Sequence, residues 1–126
     1  MAYATRFEDL TAWKKAREVN KAICQITRND AFQHDYHTRS QIRRASLSIM
    51  SNIAEGFDRG NKGDFHRFLS IAKGSCAEVL CQLYTSFNDE YITEAEFEEL
   101  KEIVEELGNI IGALRGKVYK QWRANK

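Results

Sequence analysis

Residues 93–118 read TEAEFEELKEIVEELGNIIGALRGKV, and this stretch decides the fold. Phe97, Leu100, Val104, Leu107, Ile111, Leu114 and Val118 alternate in steps of three and four, which stacks them into one stripe along an α-helix. Thr93 and Glu96 stand in capping-box spacing, so the helix starts there and runs over about 94–122. A stripe this regular is a bundle seam, and it needs partner helices to cover it.

Three further segments supply the partners. Over about 8–28, Leu10, Trp13, Ala16, Val19, Ile23 and Ile26 fall three or four apart, and Asn29 and Asp30 mark a stop. Over about 38–56, Ile42, Ala45, Ile49, Ile53 and Phe57 trace one face, with Gly56 placed for a left-handed cap. Residues 58–63 read as a tight polar loop. Over about 64–88, Asp64 reads as an N-cap, followed by Phe65, Leu69, Ala72, Cys76, Val79, Leu83 and Phe87 on a core stripe. Four amphipathic helices with short connections predict an all-α, antiparallel up-down-up-down four-helix bundle. It forms a single domain over 1–126, with no strand, internal repeat or linker in the pattern.

Composition fits. The chain has 126 residues, 43% hydrophobic and 29% charged, without a long apolar run. Disordered, collagenous and membrane-spanning classes are therefore excluded. It has no proline, where about six would be average, which favours long helices and short turns. Its cysteines, Cys24, Cys76 and Cys81, are odd in number and lack C-x-x-C spacing, as expected of reduced thiols. The opening MAYATRFEDL carries no apolar signal core, so the expected location is cytoplasmic.

Catalytic and metal-binding patterns are weak. Glu-x-x-His pairs, which carboxylate-bridged metal bundles require, do not occur, and His34, His37 and His66 lack a companion ligand set. Neither cofactor nor metal is expected. The glycines at 56, 60 and 63 follow a helix and lead to no Gly-Lys-Ser/Thr ending, which gives nucleotide binding little support. Arg44, Asn52 and Glu55 on the second helix and Glu78 on the third lie where two helix edges could meet in a polar layer. Such a layer sets register or forms a subunit contact; the other reading is a catalytic carboxylate pair, Glu55 and Glu78. The structural reading is favoured because no base, nucleophile or metal partner accompanies them.

Gly74 and the repeat Gly108, Gly112, Gly116 sit inside helices, where each costs about 1 kcal/mol relative to alanine. A small-residue ridge admits a neighbour at close range, within the bundle or from another subunit. Leu47, Met50 and Ala54 widen the apolar arc of the second helix beyond one core's need. Both features point to a homo-oligomer.

The strings Gln41-Ile42-Arg43-Arg44-Ala45, Ser48-Ile49-Met50-Ser51-Asn52-Ile53-Ala54-Glu55-Gly56 and Ile71-Ala72-Lys73-Gly74-Ser75 with Glu78, preceded by Phe7-Glu8-Asp9-Leu10 and Trp13, carry a resemblance. They resemble the four-helix-bundle proteins encoded in intervening sequences of bacterial 23S ribosomal RNA genes. Over nearly the whole chain the resemblance implies a homopentamer of antiparallel bundles without established enzyme activity. Related accessory proteins of diversity-generating retroelements, which engage reverse transcriptase and nucleic acid, imply a polymerase-like partner as an alternative. The chain departs from the family pattern at residues 31–37, where no proline follows the aromatic residue.

Net charge is only +1, from 19 Lys and Arg against 18 Asp and Glu. Bundle topology redistributes it. Residues 1–15, 56–68 and 112–126 meet at one pole with a net +7, of which the last segment carries +5. Residues 28–44 and 85–102 meet at the other with a net −4. Arg59, Lys62, Arg115, Lys117, Lys120 and Arg123 form the expected anion-binding set. The expected function is a non-catalytic oligomer binding structured RNA or a nucleoprotein through that pole.

Overall fold

In the computed structural model, which describes residues 4–125, the seam lies within a helix of 31 residues, Glu94–Ala124 (α4). Thr93 Oγ1 accepts from the Glu96 amide at 3.1 Å, and Glu96 Oε1 accepts from the Thr93 amide at 2.8 Å. This is the reciprocal cap that the spacing implies. Phe97, Leu100, Val104, Leu107, Ile111 and Val118 are buried, and Leu114 is half-buried against them. Full burial of each large aliphatic side chain contributes about 1.5–3 kcal/mol, so this stripe ties α4 to the rest.

The partners are Thr11–Ile26 (α1), Tyr36–Asp58 (α2) and Lys62–Asn88 (α3). α1 packs on α2 and α4, and α3 packs on the same two. Four helices at the corners of a square, joined by short turns, make an antiparallel four-helix bundle. Ile23, Ile42, Ile49, Ile53, Leu69, Val79 and Leu83 fill its centre. No strand occurs among the described residues. Among them, no helix is long and apolar enough to cross a membrane.

The helix ends depart from the sequence reading for local reasons. Leu10 is extended, so Phe7–Asp9 forms a separate 3-10 turn and α1 starts at Thr11. α1 stops at Ile26 because buried Thr27 turns its hydroxyl back onto the Ile23 carbonyl at 2.7 Å. Arg43 Nε donates to that hydroxyl at 2.7 Å, and its Nη2 reaches the Cys24 carbonyl at 3.3 Å. A cation from α2 thus serves one end carbonyl of α1 and the hydroxyl that turns back on another. Asp35 caps α2 through the Thr38 amide at 3.0 Å, which moves its start back to Tyr36.

Gly56 does not cap α2. It is buried within the helix, which continues to Asp58, and the left-handed residue of the turn is Gly60 at φ 80°. A Cβ at Gly56 would stand 2.6 Å from Phe68 Cβ, so Gly56 serves the crossing of α2 and α3 instead. The cap of α3 is Asn61, not Asp64: Asn61 Oδ1 accepts the Asp64 amide at 2.8 Å. Between α3 and α4, Glu90 adopts a left-handed φ of 64° and the Tyr91 amide closes onto the Ser86 carbonyl at 2.9 Å. That Schellman-type turn aims Tyr91 at the α1–α2 connection. Its hydroxyl donates to Asp35 Oδ2 at 2.8 Å, and its carbonyl accepts from Asn29 Nδ2 at 3.1 Å.

Candidate nucleic-acid interface

The topology returns the start of α1, the α2–α3 turn and the end of α4 to one pole. Gly63 brings α3 close to α4, since a Cβ there would lie 3.2 Å from the Trp122 ring. The His66 ring, one turn further along α3, is 5.2 Å from Tyr119 and 5.9 Å from Trp122 between centroids. Tyr119 and Trp122 are themselves 6.1 Å apart. These rings form an aromatic bridge from α3 to α4, with Tyr119 outermost at 45% exposure.

On α4, Arg115 and Arg123 share the stripe of Tyr119, whereas Lys117 falls on the opposite side of the helix. Arg59, Lys62, Lys117, Lys120 and Arg123 are exposed, and Arg115 is half-buried with Nη1 donating to Ser70 Oγ at 3.3 Å. Arg59 and Arg67 place their guanidinium groups 5.0 and 4.7 Å from the Phe68 ring centroid, and Arg123 lies 5.8 Å from that of Trp122. Arg67 also pairs with Asp64 at 3.7 Å. The five exposed cations form no ion pair among the described residues. Lys126, part of the +5 counted on the last segment, lies outside the described residues, as do residues 1–3 of the first.

Helix-dipole complementarity accounts for part of this arrangement. Lys120 and Arg123 near the end of α4, and the glutamates at its start, each sit where their charge is favourable. Lys62 is different: it opens α3, where the dipole is positive and a cation is unfavourable. Its position, beside exposed Arg59, concentrates positive charge without helping its own helix.

The expected polar layer takes another form within one protomer. Asn52 is half-buried and donates to the Ser48 carbonyl at 2.8 Å and hydroxyl at 3.0 Å, while Ser48 and Ser75 share a 3.0 Å hydrogen bond between α2 and α3. Arg44, Glu55 and Glu78 stay exposed and make no hydrogen bond or ion pair among the described residues. They occupy outer faces of α2 and α3, so Glu55 and Glu78 do not converge with Asn52 on a desolvated site. A second buried link, Asn20 Nδ2 to Ser46 Oγ at 2.8 Å, joins α1 to α2.

The glycine ridge of α4 admits a side chain, not a backbone. Lys73 lies along it and donates Nζ to the Gly108 carbonyl at 3.1 Å, and a Cβ at Gly112 would meet that Nζ at 3.4 Å. Gly74 and Gly116 face open space. The groove beside Lys73, about 510 Å³, is lined by Cys76, Leu80, Val104, Glu105 and Asn109, and Lys73 and Glu105 form no ion pair across it. Burial pushes the Cys76 thiol up to about 11, with Lys73 acting weakly the other way. Cys76 therefore stays protonated at neutral pH. His34 and His37 are exposed, and among the described residues no three His, Cys, Asp or Glu side chains gather to hold a metal.

The sequence reading named the cations but missed His66, Tyr119 and Trp122. The signal was present in residues 117–123, KVYKQWR, where the aromatic residues alternate with the basic ones. Tyr119 and Trp122 flank Val118 of the seam, and their rings meet His66 of α3.

An all-α bundle whose chain ends and central turn gather into a basic, aromatic pole defines a class of helical scaffold with a polarised surface. The model of the 23S rRNA-intervening sequence protein family matches residues 8–113, and the chain belongs to that family. Its fold is similar to the crystal structure of a protein of unknown function from the S23 ribosomal protein family of Bacteroides thetaiotaomicron VPI-5482, with a TM-score of 0.76 at 24% identity. That match covers 83% of this chain and 98% of the other. No curated protein matches the chain. Arg115, Lys117, Tyr119, Lys120, Trp122 and Arg123 lie beyond the residues matched to the family.

Proposed function

We propose that this protein is a non-catalytic, homo-oligomeric helical scaffold that binds structured RNA, alone or within a nucleoprotein, through its basic pole. One observation carries the reading. Two separate segments of the chain, the α2–α3 turn and the end of α4, carry Arg59, Lys62, Arg115, Lys117, Lys120 and Arg123 at the pole that holds exposed Tyr119, and one of these cations sits against its helix dipole. A polyanion satisfies such a field, and aromatic interleaving suits bases better than a bare anion.

Self-association is supported by the α2–α3 face, where Leu47 at 53% and Ile71 at 44% exposure flank the open position of Gly74. A pentamer would repeat the basic pole five times around one assembly and raise avidity for a long RNA. Free thiols at Cys24, Cys76 and Cys81 accord with a reducing cytoplasm. The test is RNA binding by fluorescence anisotropy across a salt series. If six cations each neutralise one phosphate, the log–log slope is about −4 on a single strand. Binding that is absent at low salt, or insensitive to salt, contradicts the proposal.

A further inference from the structure

We infer that the basic pole engages unpaired nucleotides, a loop, bulge or single-stranded segment, by stacking a base on Tyr119; this deepens the RNA-binding reading and rests on it. Two independent features select unpaired nucleotides over a duplex. The first is the aromatic bridge. Gly63 leaves room for Trp122 against the start of α3, and Trp122 and His66 in turn pack against Tyr119. Tyr119 is nonetheless 45% exposed. A part-exposed ring held in place by two others matches the stacking platforms on which single strands lay their bases. The bases of a duplex are already stacked and cannot reach it.

The second feature is the disposition of charge along the same groove. On α4, Arg115, Tyr119 and Arg123 recur every four residues and form one stripe. On α3, Lys62, His66 and Ser70 form the facing stripe by the same spacing, joined to the first through the Arg115–Ser70 and His66–Tyr119 contacts. Cations therefore stand at both ends of a track about 12 Å long with the ring in its middle. That length spans a short run of unpaired nucleotides, their phosphates on the cations and a base on the ring. Unpaired RNA loops present this combination of splayed base and bent backbone.

The test uses the full chain and three fluorescein-labelled probes of one mixed sequence: a single-stranded RNA, the same strand annealed to its complement, and a hairpin displaying it in the loop. The expected result is tighter binding of the single strand and the hairpin than of the duplex. Tyr119→Ala weakens the two unpaired probes about tenfold or more, Tyr119→Phe keeps their affinity, and duplex binding is unchanged in both. Tyr119 is half-exposed, and circular dichroism of each variant verifies that the fold is kept. If duplex and single strand bind alike and Tyr119→Ala changes neither, the stacking inference is overturned while RNA binding through the cations stands. If none of the probes binds at low salt, RNA binding and the stacking inference are both overturned.

Discussion

Gly56 of α2 and Phe68 of α3 approach so closely that a Cβ on the glycine would lie 2.6 Å from Phe68 Cβ. The contact closes the pole carrying Arg59 and Lys62, because it sets how tightly α2 and α3 cross just before their turn. Gly56→Ala forces backbone atoms apart and lowers stability by about 1–3 kcal/mol. Gly116→Ala, at a helical glycine facing open space, raises it by about 0.5–1 kcal/mol. Urea midpoints at constant m-value compare the two, and equal responses would remove the packing role assigned to Gly56.

The far pole is held by Asp35 and Tyr91, and this lock makes stability depend on pH. The Thr38 amide, the Thr38 hydroxyl and the Tyr91 hydroxyl, in that order, hold the Asp35 carboxyl below its usual range. The hydrogen bond to Asp35, with burial next, raises the Tyr91 phenol. The folded carboxyl titrates below its unfolded value of about 3.9, so its contribution is whole above that pH and is lost as pH falls through the lower, folded value. The phenol is opposite in sign: its contribution is whole below about 10 and is lost as pH rises through the higher, folded value. Tyr91→Phe flattens both limbs of the stability profile, and Asp35→Asn flattens the acid limb while keeping a capping oxygen. Chemical denaturation from pH 3 to 11 reads the change, and a Tyr91→Phe profile parallel to that of the wild type would exclude the lock.

How much of this was legible in the sequence follows from what each feature depends on. The α4 seam and the Thr93–Glu96 cap were readable because both are set by spacings of three and four residues. The ends of α1 and α3 were less so. Thr27 stops α1 only because Arg43 arrives from another helix, and Asn61 outranks Asp64 as a cap only once Gly60 has turned the chain. Gly56 looks like a helix terminator until Phe68 is known to cross there. At the basic pole, the cations followed from topology and a count of charge. The aromatic bridge followed only in part: Tyr119 and Trp122 alternate with the basic residues of 117–123, but their meeting with His66 depends on how α3 packs on α4. The hydrogen bonding of half-buried Ser48 and Asn52 with buried Ser75 did not follow, nor did the exposure of Arg44, Glu55 and Glu78; both depend on the rotation of α2 against α3.

The exposed pair Leu47 and Ile71 marks the face on which copies of the chain are proposed to meet. Leu47→Asp with Ile71→Asp breaks the assembly to monomers while leaving helix content unchanged, since neither side chain belongs to the core. Sedimentation and far-ultraviolet circular dichroism read the two outcomes together. A wild-type chain that sediments as a monomer contradicts self-association, and an assembly that survives both substitutions places the interface on another face.

The most direct test of the basic pole is a matched comparison of charge changes at the two ends of the bundle. Lys117, Lys120 and Arg123 are changed together to Gln in one variant, and Arg28, Arg39 and Arg44 in the other, removing the same charge from each pole. RNA affinity is then measured by anisotropy across a salt series. The account predicts that the first variant loses affinity and that its log–log salt slope falls by about 2–3, close to one per cation removed, whereas the second retains both. Equal losses from the two variants, or an unchanged slope in the first, would contradict an RNA interface at this pole.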